Sequence, residues 1–216
     1  MKRIFFVIAI VCIGMITQAQ DSKKIMLPTG WALSPAGKSL ALGDLPLNMA
    51  VSKSKKLMAI TNNGQSIQSI QLIDPVNEKE LDRLVVSRSW YGLAFSQNNQ
   101  FLYASGGNDN WILKYAIGSN TLKLVDSIKL GGKWPVRISP TGLCINDATN
   151  TMYVVSKENK SLYEVNLTTK NFVVYPLGSE AYTCLLSADK KQLYISLWGA
   201  DRLLIWDTET KQTIKK

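Results

Sequence analysis

One pattern recurs four times in this chain, in register. Residues 49–61 read MAVSKSKKLMAIT, 93–105 read LAFSQNNQFLYAS, 143–155 read LCINDATNTMYVV and 184–196 read CLLSADKKQLYIS. Each copy is an apolar run, a polar residue (Ser52, Ser96, Asn146, Ser187), a polar turn and a second apolar run. The sixth residue after that polar marker is Met58, Leu102, Met152 or Leu193. Two β-forming runs around turn chemistry make a hairpin. A lone hairpin is marginal in water, so each must pack on something. Successive markers lie 44, 50 and 41 residues apart. A period of about 40–45 residues with several strands per unit points to a β-propeller.

The remainder of each unit agrees. Third runs follow at 67–74, 112–117, 162–167 and 203–207, and fourth runs at 81–86, 122–131, 172–178 and from 213 to the last residue. Four antiparallel strands make one blade, so the fold class is all-β, a propeller of about four blades. No segment after the first nineteen residues sustains a helical apolar period over the ~11 residues such a reading needs. A single hairpin would suit a β-sandwich, and a parallel β-helix would need shorter repeats. Residues 39–43 (SLALG) line up with the fourth strands ending Leu130-Gly131 and Leu177-Gly178. They read as a fourth strand with no first three before it, the kind that closes a ring. The fourth repeat starts a fourth strand of its own at Thr213-Ile214. The expectation is a part of a seven-bladed ring, which takes roughly 315 residues at ~45 per blade. The competing reading is a four-bladed ring.

The first nineteen residues have another logic. Lys2 and Arg3 precede thirteen unbroken apolar residues at 4–16, followed by Thr17-Gln18-Ala19. This is the form of a secretory signal peptide cleaved after Ala19, and the run is short for a membrane span. Cys12 lacks the Leu and small residue pair that precede a lipidation site. The division expected is therefore 1–19 signal peptide, 20–47 N-terminal extension with a ring-closing strand, and 48–216 blades. The short basic start looks bacterial, which places the mature protein in the periplasm or outside the cell, with no membrane span after cleavage. Losing Lys2 and Arg3 takes the net charge from +9 to +7. The remaining Lys and Arg are scattered, which suits a solvated surface better than a nucleic-acid or polyanion site.

The repeats resemble the YVTN/YncE-like propellers, relatives of the lactonase-type seven-bladed propellers. Met58-Ala59-Ile60-Thr61-Asn62 and Met152-Tyr153-Val154-Val155-Ser156 are similar to that family's tetrapeptide-bearing strand. The turns SKSKK, SQNNQ, NDATN and SADKK stand where the family tends to carry Ser-Pro-Asp-Gly-Lys, and none matches it fully. Residues 27–52 (LPTGWALSPAGKSLALGDLPLNMAVS) resemble the start of exported bacterial proteins in which such a propeller precedes an alkaline-phosphatase-like phosphoesterase domain. That resemblance implies a catalytic half downstream of residue 216.

The chain has no His. Ser-His-Asp triads, imidazole zinc sites and axial haem His are excluded, as are His copper ligands. Neither a P-loop nor GxGxxG occurs, and Gly106-Gly107 and Gly131-Gly132 read as turns. Cys144 and Cys184 are left after cleavage. An oxidising compartment permits a disulfide, but its Cα atoms must come within about 7 Å. Neighbouring blades are expected to splay further, leaving two free, buried thiols. Asp109, Glu158 and Asp201 fall in successive loops between second and third strands and could face one cation, but loop Asp is commonly turn chemistry. The residues imply no metal and no cofactor.

Aromatic residues are the stronger signal. Loops entering first strands carry Trp90, Tyr91, Trp134 and Tyr182, with Arg137 just after Trp134. Loops between second and third strands add Asn108, Asp109, Trp111, Trp198 and Asp201. Both loop sets share one rim of a propeller. Aromatic and Arg residues on a rim suit a partner or ligand; the plain alternative is that the rings wedge between blades. Trp206, on a third strand, reads as core, and Trp31 as packing the N-terminal extension. The first functional expectation is a recognition or scaffold module whose rim takes a protein, a sibling domain or a glycan, with no turnover of its own. The second is a lactonase-type hydrolase of the 6-phosphogluconolactonase kind, weakened by the missing His. The third is single-stranded nucleic-acid binding by base stacking.

Overall fold

The computed structural model describes residues 25–33, 37–132 and 135–215. The segment expected to be a signal peptide and Trp134 lie outside the described residues. The described residues fall into two compact units, those up to residue 39 and those from residue 40.

In the first unit, β1 (Ile25–Met26) pairs with β2 (Ala32–Leu33) in a small hairpin. Gly30 turns it at φ 81, and Leu27 N–H donates to the Trp31 carbonyl at 2.8 Å. Trp31 is 76% exposed, contrary to the packing role expected for it. A hairpin of two-residue strands has too little area to bury an indole.

The second unit is four antiparallel four-stranded blades, each a meander in chain order. Blade 1 is β3 (Pro46–Val51), β4 (Met58–Asn62), β5 (Ser69–Asp74) and β6 (Lys79–Val85). Blade 2 is β7 (Leu93–Phe95), β8 (Phe101–Ser105), β9 (Trp111–Gly118) and β10 (Thr121–Lys129). Blade 3 is β11 (Pro140–Asn146), β12 (Thr151–Ser156), β13 (Ser161–Asn166) and β14 (Phe172–Pro176). Blade 4 is β15 (Cys184–Leu186), β16 (Gln192–Leu197), β17 (Arg202–Asp207) and β18 (Gln212–Lys215). Among the described residues no α-helix forms; two short 3-10 turns, Gly107–Asp109 and Trp198–Ala200, link second to third strands.

The polar marker of the repeat has a physical role. Ser52 Oγ accepts from Leu57 N–H, Ser96 Oγ from Phe101 N–H and Ser187 Oγ from Gln192 N–H, each at 3.0 Å. The hydroxyl thus ties the two ends of the inner hairpin's turn. Asn146 serves differently, accepting from Ala148 N–H at 3.2 Å. The outer turns use a carboxylate or amide for the same purpose. Asp74, Asn166 and Asp207 each accept two backbone N–H bonds from the residues two and three positions on, all at 2.8–2.9 Å.

The core is not one mass but three, each between consecutive blades. Register explains the arrangement. The residues facing the following blade on third strands are Ile70, Ile112 and Leu162, all within 1% of full burial. Their counterpart on blade 4, Leu203, is 53% exposed. On first strands, Leu93, Leu143 and Cys184 face the preceding blade and are buried, whereas their counterpart on blade 1, Met49, is exposed. The set thus has two apolar end faces, one on blade 4 and one on blade 1.

Backbones come very close between blades. A Cβ on Gly142 would lie 2.5 Å from Thr183 Cα, and one on Gly92 would lie 2.2 Å from the Thr141 carbonyl oxygen. Glycine is required where backbone meets backbone at such range. Gly142 N–H donates to the Tyr182 carbonyl at 2.9 Å. Blades 3 and 4 therefore do not splay at their inner strands. Cys144 Sγ and Cys184 Sγ are 3.6 Å apart, against the separation expected, although both cysteines are free. Cys184 is buried, and Cys144 is partly buried rather than fully so.

Two further boundaries differ from expectation. Residues 39–43 form no strand; instead Gly43 N–H donates to the Gln71 side-chain oxygen at 2.8 Å. A strand needs a partner edge, and that segment pairs with none here. The blades begin at Pro46 rather than residue 48, and β11 starts at Pro140 because an irregularity between Pro140 and Leu143 lengthens it.

Candidate functional site

A cavity of about 780 Å³ lies among the first strands of all four blades. Met49 and Ala50, Leu93 and Ala94, Leu143 and Cys144, and Cys184 and Leu185 contribute to its wall. The mouth on the loop rim holds Asn48, Tyr91 and Thr183; the hairpin-turn end holds Lys53, Gln97, Asp147 and Lys190.

Tyr91 stands just before β7 and Tyr182 just before β15, so they enter different, non-consecutive blades. Their rings nonetheless meet, centroids 5.0 Å apart and planes at 52°. The Tyr182 ring also meets Trp198, at 5.8 Å and 55°. The three rings make one continuous aromatic run that starts at the cavity wall with Tyr91 and leads away from it to Trp198. Asn48 donates its amide to the Tyr91 carbonyl at 2.6 Å, holding the start of the run from blade 1. Trp198 is 60% exposed, and the Lys157 ammonium sits over its ring, 4.7 Å from the centroid. A cation at that range over an indole face is attracted by the ring quadrupole.

A second group forms a smaller hollow of about 300 Å³, lined by Arg88, Asp109 and Trp111 among others. Arg88 Nε and Asp109 Oδ1 are 3.5 Å apart, both about half exposed. Asp109 is thus engaged by a guanidinium rather than turned toward other carboxylates. Among the described residues no three Cys, Asp or Glu side chains group closely enough to hold a metal ion.

The other expected rim residues divide by role. Trp90 is half-buried, with its ring edge 3.5 Å from where a Gly107 Cβ would stand. Asn108 Oδ1 accepts from Ser139 Oγ at 3.0 Å, a bond between loops. Asp201 ends the Trp198–Ala200 turn in a left-handed conformation, φ 49, and is exposed. Arg137 is exposed. Trp206 is buried with its ring 4.9 Å from Tyr175, in keeping with a core reading.

Three contributors escaped the sequence reading. Lys157 and Arg88 look like any solvated basic residue until the fold sets them beside Trp198 and Asp109. Asn110 is the third. It is buried in a left-handed conformation, donates its amide to the Gly132 and Val136 carbonyls at 2.8 Å, and accepts from Ile138 and Ser139 N–H at 3.1 and 3.0 Å. One side chain thereby pins the loop that carries Arg137.

Burial and neighbours shift several groups. Desolvation pushes the Tyr115 phenol up to about 12 and raises Tyr153 further, so both stay neutral in the core. The bond with the Cys144 sulfur, then burial, push the Cys184 thiol up. It is held as a neutral thiol.

No family model and no curated protein sequence matches the chain. Solved structures match its fold. Hydrazine synthase from Kuenenia stuttgartiensis is 16% identical with a TM-score of 0.67, over 84% of this chain and 52% of that one. A protein from Lactobacillus plantarum is 15% identical with a TM-score of 0.66, over 93% of this chain and 63% of that one. A Bacteroides caccae protein of unknown function is 9% identical with a TM-score of 0.59, over 86% and 63%. The chain thus spans between half and two thirds of these structures.

Proposed function

We propose that this chain is an exported β-propeller recognition module whose partner docks on the rim run of Tyr91, Tyr182 and Trp198. The observation that carries the reading is that these rings are continuous, start at the cavity wall with Tyr91, and end in an indole left 60% exposed. Large amphipathic rings supply contact area at little entropic cost, and such residues dominate binding energy where they cluster. Lys157 beside Trp198 suits a hydroxyl-rich or anionic surface, such as a carboxylated glycan, over a cationic one. Affinity electrophoresis through gels containing a uronic-acid polysaccharide tests this. Retardation is expected, and Trp198→Ala should cut it at least about tenfold, the size of a moderate hot spot, with melting unchanged. Retardation unchanged by Trp198→Ala, with lowered stability, would mark the rings as wedges between blades.

Export is supported by the basic start and thirteen-residue apolar run at 4–16. The two exposed end faces, and a length of 52–63% of the matched structures, support a longer propeller in the whole protein. The resemblance of residues 27–52 supports a phosphoesterase domain downstream. In this reading the chemistry belongs to that domain, and the blades described here position or present it.

A further inference from the structure

We infer that Cys144 and Cys184 form a disulfide that ties blade 4 to blade 3 in the wall of the central cavity. The two sulfurs already lie in van der Waals contact at 3.6 Å, and a disulfide requires about 2.05 Å, a closure of roughly 1.5 Å. The backbones need little adjustment. Two residues before Cys144, Gly142 N–H bonds the Tyr182 carbonyl, and the Gly142 position tolerates no Cβ beside Thr183. The inner strands are clamped together beside the sulfurs.

The repeat isolates the feature. At the equivalent places the first two interfaces carry Ala50 with Leu93 and Ala94 with Leu143. A small residue faces a large one there, and the pair fills the gap between inner strands. The third interface alone replaces both members, with two thiols. Access is unequal in the way thiol exchange needs. Both cysteines border the cavity, Cys144 partly exposed and Cys184 buried, so Cys144 is the thiol an oxidant reaches first; Cys184 Sγ also lies 3.7 Å from the Tyr153 carbonyl oxygen.

The oxidant is a small disulfide. The Cys144 thiolate attacks one sulfur of that molecule and expels the other half as a thiolate. Cys184, giving up its proton, then attacks Cys144 Sγ in the mixed disulfide and expels the second half. Two protein thiols and one disulfide give one protein disulfide and two small thiols, so electrons and atoms balance. The bond closes a loop of about 40 residues and constrains the unfolded chain.

The test is to incubate the full chain with oxidised glutathione, alkylate under denaturing conditions, and map tryptic peptides. The expected product has peptide 138–157 joined to peptide 171–190 within one copy, the joined pair about 2 Da lighter than the two free peptides together. Its melting temperature should rise by roughly 5–10 °C and return on adding dithiothreitol. Cys144→Ser and Cys184→Ser should each abolish the rise. Recovery of both peptides separately alkylated would overturn the inference. So would a glutathione adduct that persists on Cys144, or a link between two copies through Cys144 or Cys184. The peptide map is read on the unaltered chain, so it decides even where a serine variant fails to fold.

Discussion

Each inner hairpin turn has one residue in left-handed backbone: Lys55 (φ 58), Asn99 (φ 57) and Lys190 (φ 65), each three residues after the Ser marker, and Asn150 (φ 53), four after Asn146. A Cβ in that region costs about 1–2 kcal/mol, and Asn bears it better than Lys. Glycine would remove the clash while losing more chain entropy, about 0.5–1 kcal/mol. Lys190 is exposed, so Lys190→Gly should stabilise the chain by about 0.5–1 kcal/mol, measured by urea unfolding. A loss of stability would show that the lysine side chain contributes more than its backbone costs. The turn itself was legible in sequence because the Ser markers announce it. The conformational requirement was not, since Lys and Asn occupy a place where glycine would have declared it. The candidate site divides the same way. Repeat register was enough to set Tyr91, Tyr182 and Trp198 on one rim. It could not place Lys157 over Trp198, because that contact joins loops of different blades.

At the scale of the element, the outer turns depend on a charged acceptor in two blades and a neutral one in a third. Hydrogen bonds from Asn77 hold the Asp74 carboxyl below its ordinary range, and bonds from the Thr210 and Glu209 backbone do so for Asp207. The Lys170 ammonium lowers Asp126 in the same direction. A carboxylate whose folded pKa is depressed adds stability that is full above its unfolded value, about 3.9, and lost as pH falls through the folded one. The melting temperature should therefore drop below about pH 4. Asn166 makes the same turn without charge, so Asp207→Asn should keep the neutral-pH melting temperature and shrink the acid drop. An undiminished drop would remove Asp207 from the account. Strand existence was readable here from apolar runs, while strand ends were not. Pro46 and Pro140 begin strands that the apolar pattern starts later, because an irregularity lets an extra residue join the ladder.

Across the whole molecule, stability resides in the three interfaces between consecutive blades. Leu162 fills the last of them, and Leu203 holds the same register position one blade later with nothing described over it. Leu162→Ala should cost about 2–5 kcal/mol, as buried leucine truncations do, and Leu203→Ala under about 0.5 kcal/mol. Equal losses in urea unfolding would mean that the blade 4 face is covered in solution. The two end faces also give the chain a polarity. The face on blade 4 is built to receive what the face on blade 1 presents, and neither is built to receive itself. Contacts through them are head-to-tail rather than two-fold. Any assembly made that way, within one polypeptide or between several, has two outcomes: a ring that closes, or a filament that keeps growing. The angle between one blade and the next decides between them, and the strength of the contact does not.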